Sequence, residues 1–160
     1  MKKYNILIAD DTIIITEMLK AFFMQKDYVN TVSTVFNGES LLENLMSKDF
    51  DIIITDIDMP ILTGIEAIEK YTIFNPQNNK MFIIMSGDMY KIEIQEKIRT
   101  LKNIIGTLSK PVNTDTIEQY ILDNIETDTQ PSNQTEIILP QKIGIFKKML
   151  NLIKAKLLHH

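Results

Sequence analysis

Five short runs of apolar and β-branched residues alternate with longer stretches of helical periodicity over the first 126 residues of the chain. The runs predict strands at residues 4–9, 31–35, 51–55, 80–85 and 103–108. Helices are predicted between and after them, at residues 12–26 and 38–48 and around apolar repeats that begin at Ile65, Ile94 and Ile117. This alternation predicts an α/β fold in which a parallel sheet carries helices on both faces.

The apolar spacing also predicts which residues are buried. In the first helix Ile15, Leu19 and Phe22 recur at helical spacing, so we expect them to face the sheet. The uninterrupted runs at 52–54 and 82–84 are typical of strands buried on both sides. Because crossovers between parallel strands are right-handed, the predicted sheet is doubly wound.

Polar residues follow four of the five predicted strands. Asp10 and Asp11 follow the first strand, Asp56 the third, Ser86 the fourth and Lys110 the fifth. Ligands of doubly wound sheets bind just beyond the C-terminal ends of the strands. We therefore expect these side chains to converge in one site.

The residue types of this set favour phosphoryl chemistry. Three converging carboxylates repel one another, and a hard divalent cation such as Mg²⁺ relieves that repulsion through oxygen ligands. A lysine ammonium and a serine hydroxyl can contact a phosphoryl oxygen, and an aspartate can attack a phosphoryl donor as a nucleophile. The set predicts that one aspartate accepts a phosphoryl group with Mg²⁺ bound.

Composition excludes several other kinds of site. The chain has no cysteine, which excludes disulfides, thiolate metal sites and a cysteine nucleophile. Its two histidines, His159 and His160, end the chain and resemble the remainder of a purification tag. Without them there is no Ser-His-Asp triad and no histidine metal cage. Since no apolar run is long enough for a membrane span or a signal peptide, we expect a cytoplasmic protein.

Charge divides the chain into an acidic body and a basic tail. Residues 127–140 are predicted to be a linker and residues 141–160 an amphipathic helical tail with five lysines and no acidic residue. The tail's apolar residues follow the spacing of a helix seam: Ile143, Phe146, Leu150, Ile153 and Leu157. Such a helix can dock on a partner or a second copy, lie on an anionic membrane surface, or have no role. The acidic body predicts no nucleic-acid partner.

Four motifs in chain order resemble the receiver domain of two-component response regulators. They are Asp10-Asp11, the run from Asp56 to Gly64 that reads Asp-Ile-Asp-Met-Pro before its glycine, Ser86-Gly87, and Lys110-Pro111. The resemblance covers about residues 3–126, the predicted receiver domain being residues 1–126. It implies a flavodoxin-like sheet of five strands in the order 2-1-3-4-5.

The resemblance also implies a role for each site residue. Asp56 would be the phosphoacceptor and would ligate Mg²⁺ together with Asp11 and the backbone carbonyl of Asp58. Asp10 would act mainly through metal-bound water. Ser86 and Lys110 would contact the phosphoryl group.

Two further expectations concern strand five and the residues that follow it. The Lys110-Pro111 bond is expected to be cis, as in the family. The position three residues before the lysine, where the family usually has a switch aromatic, is Thr107.

The function implied is that of a signalling protein rather than an enzyme. It would accept a phosphoryl group from a histidine kinase or phosphotransfer protein and contact a downstream protein through helix four, strand five and helix five. One alternative is a degenerate receiver that binds partners without phosphorylation, against which the intact acidic, serine and lysine positions argue. A second is a phosphatase of the haloacid dehalogenase type, since Asp56-x-Asp58 resembles its nucleophile motif. That family places the motif after its first strand, whereas here it follows the third.

Overall fold

The computed structural model describes residues 2–125. The predicted linker at 127–140 and the predicted tail at 141–160 lie outside the described residues, so the interpretations of both remain predictions. Among the described residues, no helix is long and apolar enough to cross a membrane.

Ten elements alternate strictly between strand and helix. In chain order they are β1 (Tyr4–Ala9), α1 (Ile13–Phe23), β2 (Val29–Val35), α2 (Gly38–Ser47), β3 (Ile52–Asp56), α3 (Gly64–Phe74), β4 (Met81–Ser86), α4 (Ile92–Thr100), β5 (Ile104–Ser109) and α5 (Thr114–Leu122). The five strands form one parallel sheet in the order β2-β1-β3-β4-β5. The predicted fold class and strand order are therefore confirmed.

Each face of the sheet has its own apolar core, because successive residues of a strand point to opposite faces. Ile52 and Ile54 are buried among side chains of α1 and α5, whereas Ile53 is buried among side chains of α2 and α3. All three are fully buried. The continuous apolar run in β3 thus reflects helices on both sides of the sheet, as the sequence predicted.

Several predicted boundaries were wrong by a few residues. The first helix ends at Phe23, not at residue 26, and β2 begins at Val29 instead of residue 31. The second helix ends at Ser47, one residue before the predicted 48. The last three strands lie one residue further along than predicted, so that Asp56 and Ser86 are themselves the final residues of their strands.

The buried face of α1 also differs from the prediction. Leu19 is buried as expected, but Thr16 and Phe23 are fully buried, whereas Ile15 and Phe22 are only partly buried. The Phe22 ring meets the Phe23 ring edge-on and lies under the ammonium of Lys26, 4.1 Å from its ring centre. The buried face of α1 is thus rotated from the predicted one and includes a threonine, Thr16. Its hydroxyl is satisfied by the carbonyl of Ile13 at 2.9 Å.

Side-chain caps fix where three of the helices begin. Asn37 accepts from the Ser40 amide before α2, and Asn113 accepts from two amides of the first turn of α5. Thr63 and Glu66 form a reciprocal capping box at the start of α3. The start of α3 matters for the site, because α3 follows the loop that leaves Asp56.

Candidate phosphoryl-acceptor site

The C-terminal ends of the strands bring the predicted side chains to one edge of the sheet. Asp10 follows β1 directly, Asp56 ends β3, Ser86 ends β4 and Lys110 follows β5. Three of the four are fully or almost fully buried, whereas Lys110 keeps 22% of its side chain exposed.

Three carboxylates converge at this edge. Asp10, Asp11 and Asp56 each place one oxygen within 4.8 Å of the other two. Asp10 and Asp56 are buried, whereas Asp11 is exposed at the mouth of the cluster. Such a set of hard oxygen donors, open on one side, suits a divalent cation.

Lys110 is the counter-charge to the two buried carboxylates. Its Nζ lies 2.8 Å from Asp10 Oδ2 and 3.1 Å from Asp56 Oδ2. Burial alone would lower the pKa of Lys110, but its bonds to both carboxylates outweigh burial and raise that pKa. The lysine is therefore charged at every physiological pH.

Asp56 is the titratable group most affected by this environment. Desolvation raises the pKa of its carboxyl from 3.8 to about 6, against the opposing effect of Lys110. The charges of Asp10 and Asp58 add to the increase. One lysine does not neutralise the cluster.

One oxygen of Asp56 has no partner. Asp56 Oδ1 is buried and accepts no hydrogen bond from the residues that the structure describes. Asp10 Oδ2 is likewise buried and lacks a hydrogen bond of good geometry, but it lies 2.8 Å from the Lys110 ammonium, and Asp10 Oδ1 accepts the Thr12 amide at 2.9 Å. A buried carboxylate oxygen without a donor is costly. A cation or a phosphoryl group bound at Asp56 would relieve this cost, and the residues present fit Mg²⁺.

The Ser86 hydroxyl donates to no group among residues 2–125. Its Oγ accepts the Asp88 amide at 3.0 Å, and its carbonyl accepts the Lys110 amide at 2.9 Å. Since the oxygen already accepts one hydrogen bond, the O–H remains available to donate. The same residue thus ties β4 to the lysine and offers a donor at the end of its strand.

The loop between β3 and α3 requires its glycine. The Gly64 amide donates to the Ile57 carbonyl at 3.0 Å, folding the loop back over the end of β3. A Cβ at this position would overlap the carbonyl oxygen of Asp56. The glycine of the motif is therefore explained by the close approach of α3 to the acidic cluster.

Asp58 is placed differently from the other acidic residues. It is exposed in this loop, and its carboxylate is not among the three that converge. Its charge nevertheless reaches the site, because it contributes to the raised pKa of Asp56.

Two features of the loops that follow β3 and β4 were not predicted from the sequence. Lys91 pairs with Asp88 at 2.6 Å, in the loop between β4 and α4 that follows Ser86. Ile61 adopts a φ of 72° although 74% of its side chain is exposed. The left-handed conformation is strained for a β-branched residue. The signal for it was present, since Ile61 follows Pro60 in a tight loop.

We predict that Ile61→Asn raises the free energy of unfolding by about 0.5–1 kcal/mol, because asparagine tolerates the left-handed conformation. The measurement is urea denaturation at constant pH. Ile73→Asn is the matched control, since Ile73 is equally exposed but lies within α3. It should leave stability unchanged or lower it. Equal effects at both positions would contradict the assignment of strain to Ile61.

Comparison with known proteins decides the family. The model of the response regulator receiver domain matches residues 6–122. The chain belongs to this family. Receiver domains are signalling modules of two-component systems, which confirms the coarser part of the predicted function.

A protein-glutamate methylesterase/protein-glutamine glutaminase of Clostridium acetobutylicum is one sequence relative. It is 29% identical to the chain over 69 residues, which are 43% of this chain and 20% of that protein. The transcriptional regulatory protein YesN of Bacillus subtilis is 32% identical over 85 residues, which are 52% of this chain and 23% of that protein. The chain thus spans about a fifth of the length of the curated relatives it matches.

Among solved structures, the chemotaxis protein CheY4 of Vibrio cholerae superposes with a TM-score of 0.67 at 23% identity. The match covers 77% of this chain and 99% of that one. The likeness supports the fold described above. The expected cis bond between Lys110 and Pro111 is also present.

Proposed function

We propose that this receiver accepts a phosphoryl group on Asp56. The observation that carries the proposal is the unpartnered, buried Asp56 Oδ1 beside Lys110 and two further carboxylates. An aspartate held in this way can act as a nucleophile, and Lys110 together with a bound cation would offset the charge of the incoming phosphoryl group.

Transfer of the phosphoryl group to Asp56 needs no reactant other than the phosphoryl donor and water. An oxygen of ionised Asp56 forms a bond to phosphorus while the bond from phosphorus to the donor breaks. The donor's leaving group takes the electron pair, and a basic leaving group then takes a proton from water. Lys110 and the Ser86 hydroxyl stabilise the negative charge on the equatorial oxygens, since positioning and charge neutralisation account for most of phosphoryl-transfer catalysis.

Mg²⁺ completes the proposed site. Asp11 and Asp56 would hold it with the backbone carbonyl of Asp58, and Asp10 would hold a metal-bound water. Bound there, the cation would offset the repulsion between the carboxylates and the incoming phosphoryl group. Lys110, whose Nζ lies 2.8 Å from Asp10 Oδ2, would remain paired with Asp10 when the cation is bound.

The proposed donor is a histidine kinase or a phosphotransfer protein in the cytoplasm, and the proposed output is contact with a downstream protein. A response regulator of Burkholderia pseudomallei, solved with a phosphorylated aspartic acid and a calcium ion, shares this fold at a TM-score of 0.62 and 19% identity. That match covers 74% of this chain and 66% of that one. It supports the same chemistry for Asp56. The methylesterase activity of the longer relatives is not part of the proposal, because the match spans only a fifth of their length.

The test is intact-mass spectrometry after incubation with acetyl phosphate and Mg²⁺. We expect one added phosphoryl group on the native chain and none on Asp56→Asn. Asp58→Asn is the matched control, since its carboxylate lies outside the converging set, and it should still be labelled. Equal labelling of Asp56→Asn would refute Asp56 as the acceptor. Absence of labelling in the native chain would favour the degenerate receiver.

A further inference from the structure

A cavity of about 490 Å³ lies at the edge of the sheet where the strands begin, opposite the edge that holds Asp56. We call it the strand-start cavity. Its floor is formed by apolar residues that pack in the core between the sheet and helices α1 and α5: Tyr4, Met81 and Ile105. Its rim is polar and exposed, and it includes Lys2, Asn79 and Asn124. The cavity thus combines an apolar floor with a polar mouth.

The described part of the chain ends beside this cavity. Ile125 is buried in the same core as Tyr4, and its amide donates to the Ile121 carbonyl at 3.0 Å. Asn124, on the rim, donates through Nδ2 to the Tyr120 carbonyl at 2.8 Å. Three more residues span at most about 11 Å of extended chain. Residues 126–128 therefore start at the rim and are long enough to cross the mouth of the cavity.

The charges of the mouth and of this segment are opposite. The Lys2 ammonium lies 4.8 Å from the centre of the Tyr4 ring, and it forms no ion pair within the described part of the chain. No acidic residue lines the cavity. Asp123, beside the rim, accepts the Gln119 side-chain amide at 2.7 Å. Residues 126–128 read Glu-Thr-Asp and contain no basic residue, so they suit the positive mouth.

The other lysine of the lining does not add to the charge of the mouth. Lys80 leaves only 8% of its side chain exposed, and its Nζ donates to the Phe50 carbonyl at 2.7 Å. Lys2 is therefore the cation that an acidic segment would meet at this cavity.

From continuity of the chain and complementary charge, we infer that residues 126–128 bind in the strand-start cavity, with the carboxylate of Glu126 or Asp128 beside Lys2. The segment would gain van der Waals contacts over the apolar floor and one ion pair at the mouth. The side-chain amides of Asn79 and Asn124 offer hydrogen bonds to its backbone. The receiver would then extend to residue 128, and the chain would leave it at the edge opposite Asp56. This inference does not depend on the proposed phosphorylation.

Engineered disulfides test this placement in the full chain, because the chain has no cysteine of its own. A disulfide requires two Cα atoms within about 7 Å. Thr127→Cys keeps both acidic residues, and we combine it with Asn79→Cys at the rim. The matched control combines it with Gln77→Cys, which is also exposed in the same loop but does not line the cavity. With oxidised glutathione as the oxidant, we expect the rim pair to close about tenfold faster than the control pair, as measured by intact-mass spectrometry.

Charge variants of the rim pair test the role of Lys2. Lys2→Glu should slow closure about threefold, as expected for the loss of an exposed ion pair. Lys3→Glu is the matched control and should leave the rate unchanged, since Lys3 lies outside the lining. Adding Glu126→Lys and Asp128→Lys to Lys2→Glu exchanges the charges and should restore the rate. Equal effects of Lys2→Glu and Lys3→Glu would overturn the pairing with Lys2.

Amide NMR of the cysteine-free chain gives a second measurement. Glu126→Gln with Asp128→Asn should shift the amide signals of Lys2, Met81 and Ile105 and leave those of residues 60–63, at the other edge of the sheet, unchanged. Equal closure of the rim and control pairs, or unchanged signals at the floor, would overturn the inference. A disulfide between two chains, seen as a dimer mass, would also overturn it, because the occupant would then be a second copy.

Discussion

Asp56→Asn is expected to raise the free energy of unfolding of the metal-free protein at pH 8 by about 1–3 kcal/mol. The native environment raises the pKa of Asp56 from 3.8 to about 6, chiefly by desolvation. Above pH 6 the carboxyl of Asp56 is ionised in both states. Its ionisation costs more free energy in the folded protein than in the unfolded chain. An amide removes this cost and leaves Lys110 paired with Asp10.

The pH dependence follows from the sign of this shift. Because the folded state binds the proton of Asp56 more tightly, the native contribution of Asp56 to stability falls as pH rises from about 4 to about 6. The gain from Asp56→Asn should thus be nearly absent at pH 4 and complete above pH 7. Urea denaturation in the presence of a chelator, at steps between pH 4 and 8, measures the difference.

Asp27→Asn is the matched control for this prediction. Asp27 is exposed in the turn before β2, far from the acidic cluster in sequence and element order. Its substitution should change stability by less than about 0.5 kcal/mol at every pH. If both variants gave the same pH profile, the desolvation of the Asp56 carboxylate would not be the cause of the stabilisation. If Asp56→Asn were destabilising at pH 8, the carboxylate would be satisfied in the metal-free protein.

The strand ends explain why so much of the site was predictable from the sequence. Parallel strands deliver their C-terminal residues to one edge, so Asp10, Asp56, Ser86 and Lys110 had to converge once the alternating pattern was recognised. The strand order came from the family resemblance, not from the pattern. An error of one residue in the strand bounds did not matter, since it did not change which edge they reach.

Other features depend on tertiary distances that the pattern does not contain. The buried face of α1 includes Thr16, whose hydroxyl donates to the Ile13 carbonyl. Hydrophobic periodicity does not predict this position, because it counts only apolar residues. Whether a donor lies within hydrogen-bond distance of Asp56 Oδ1 likewise depends on three-dimensional distances that the sequence pattern does not give.

Magnesium is expected to stabilise the native protein by mass action, by about 2.7 kcal/mol at a hundred times its dissociation constant. The reason is that the convergent carboxylates exist as a set only in the folded state. Above the dissociation constant, each tenfold rise in Mg²⁺ should add about 1.4 kcal/mol to the free energy of unfolding. Urea denaturation across a Mg²⁺ series, at constant ionic strength, measures this slope.

Asp11→Asn should move the onset of this stabilisation to much higher Mg²⁺, because it removes the exposed carboxylate at the mouth of the cluster. Asp58→Asn should retain the native response, since only the backbone carbonyl of Asp58 is assigned to the metal. Loss of the response in Asp58→Asn would move the ligand to its side chain. A native response in Asp11→Asn would place the cation away from the cluster.

Asp56→Asn should start more stable and gain less, so its curve and the native curve should converge as Mg²⁺ rises. That convergence would link the strain at Asp56 to the metal site, because the cation relieves the same uncompensated charge that the amide removes.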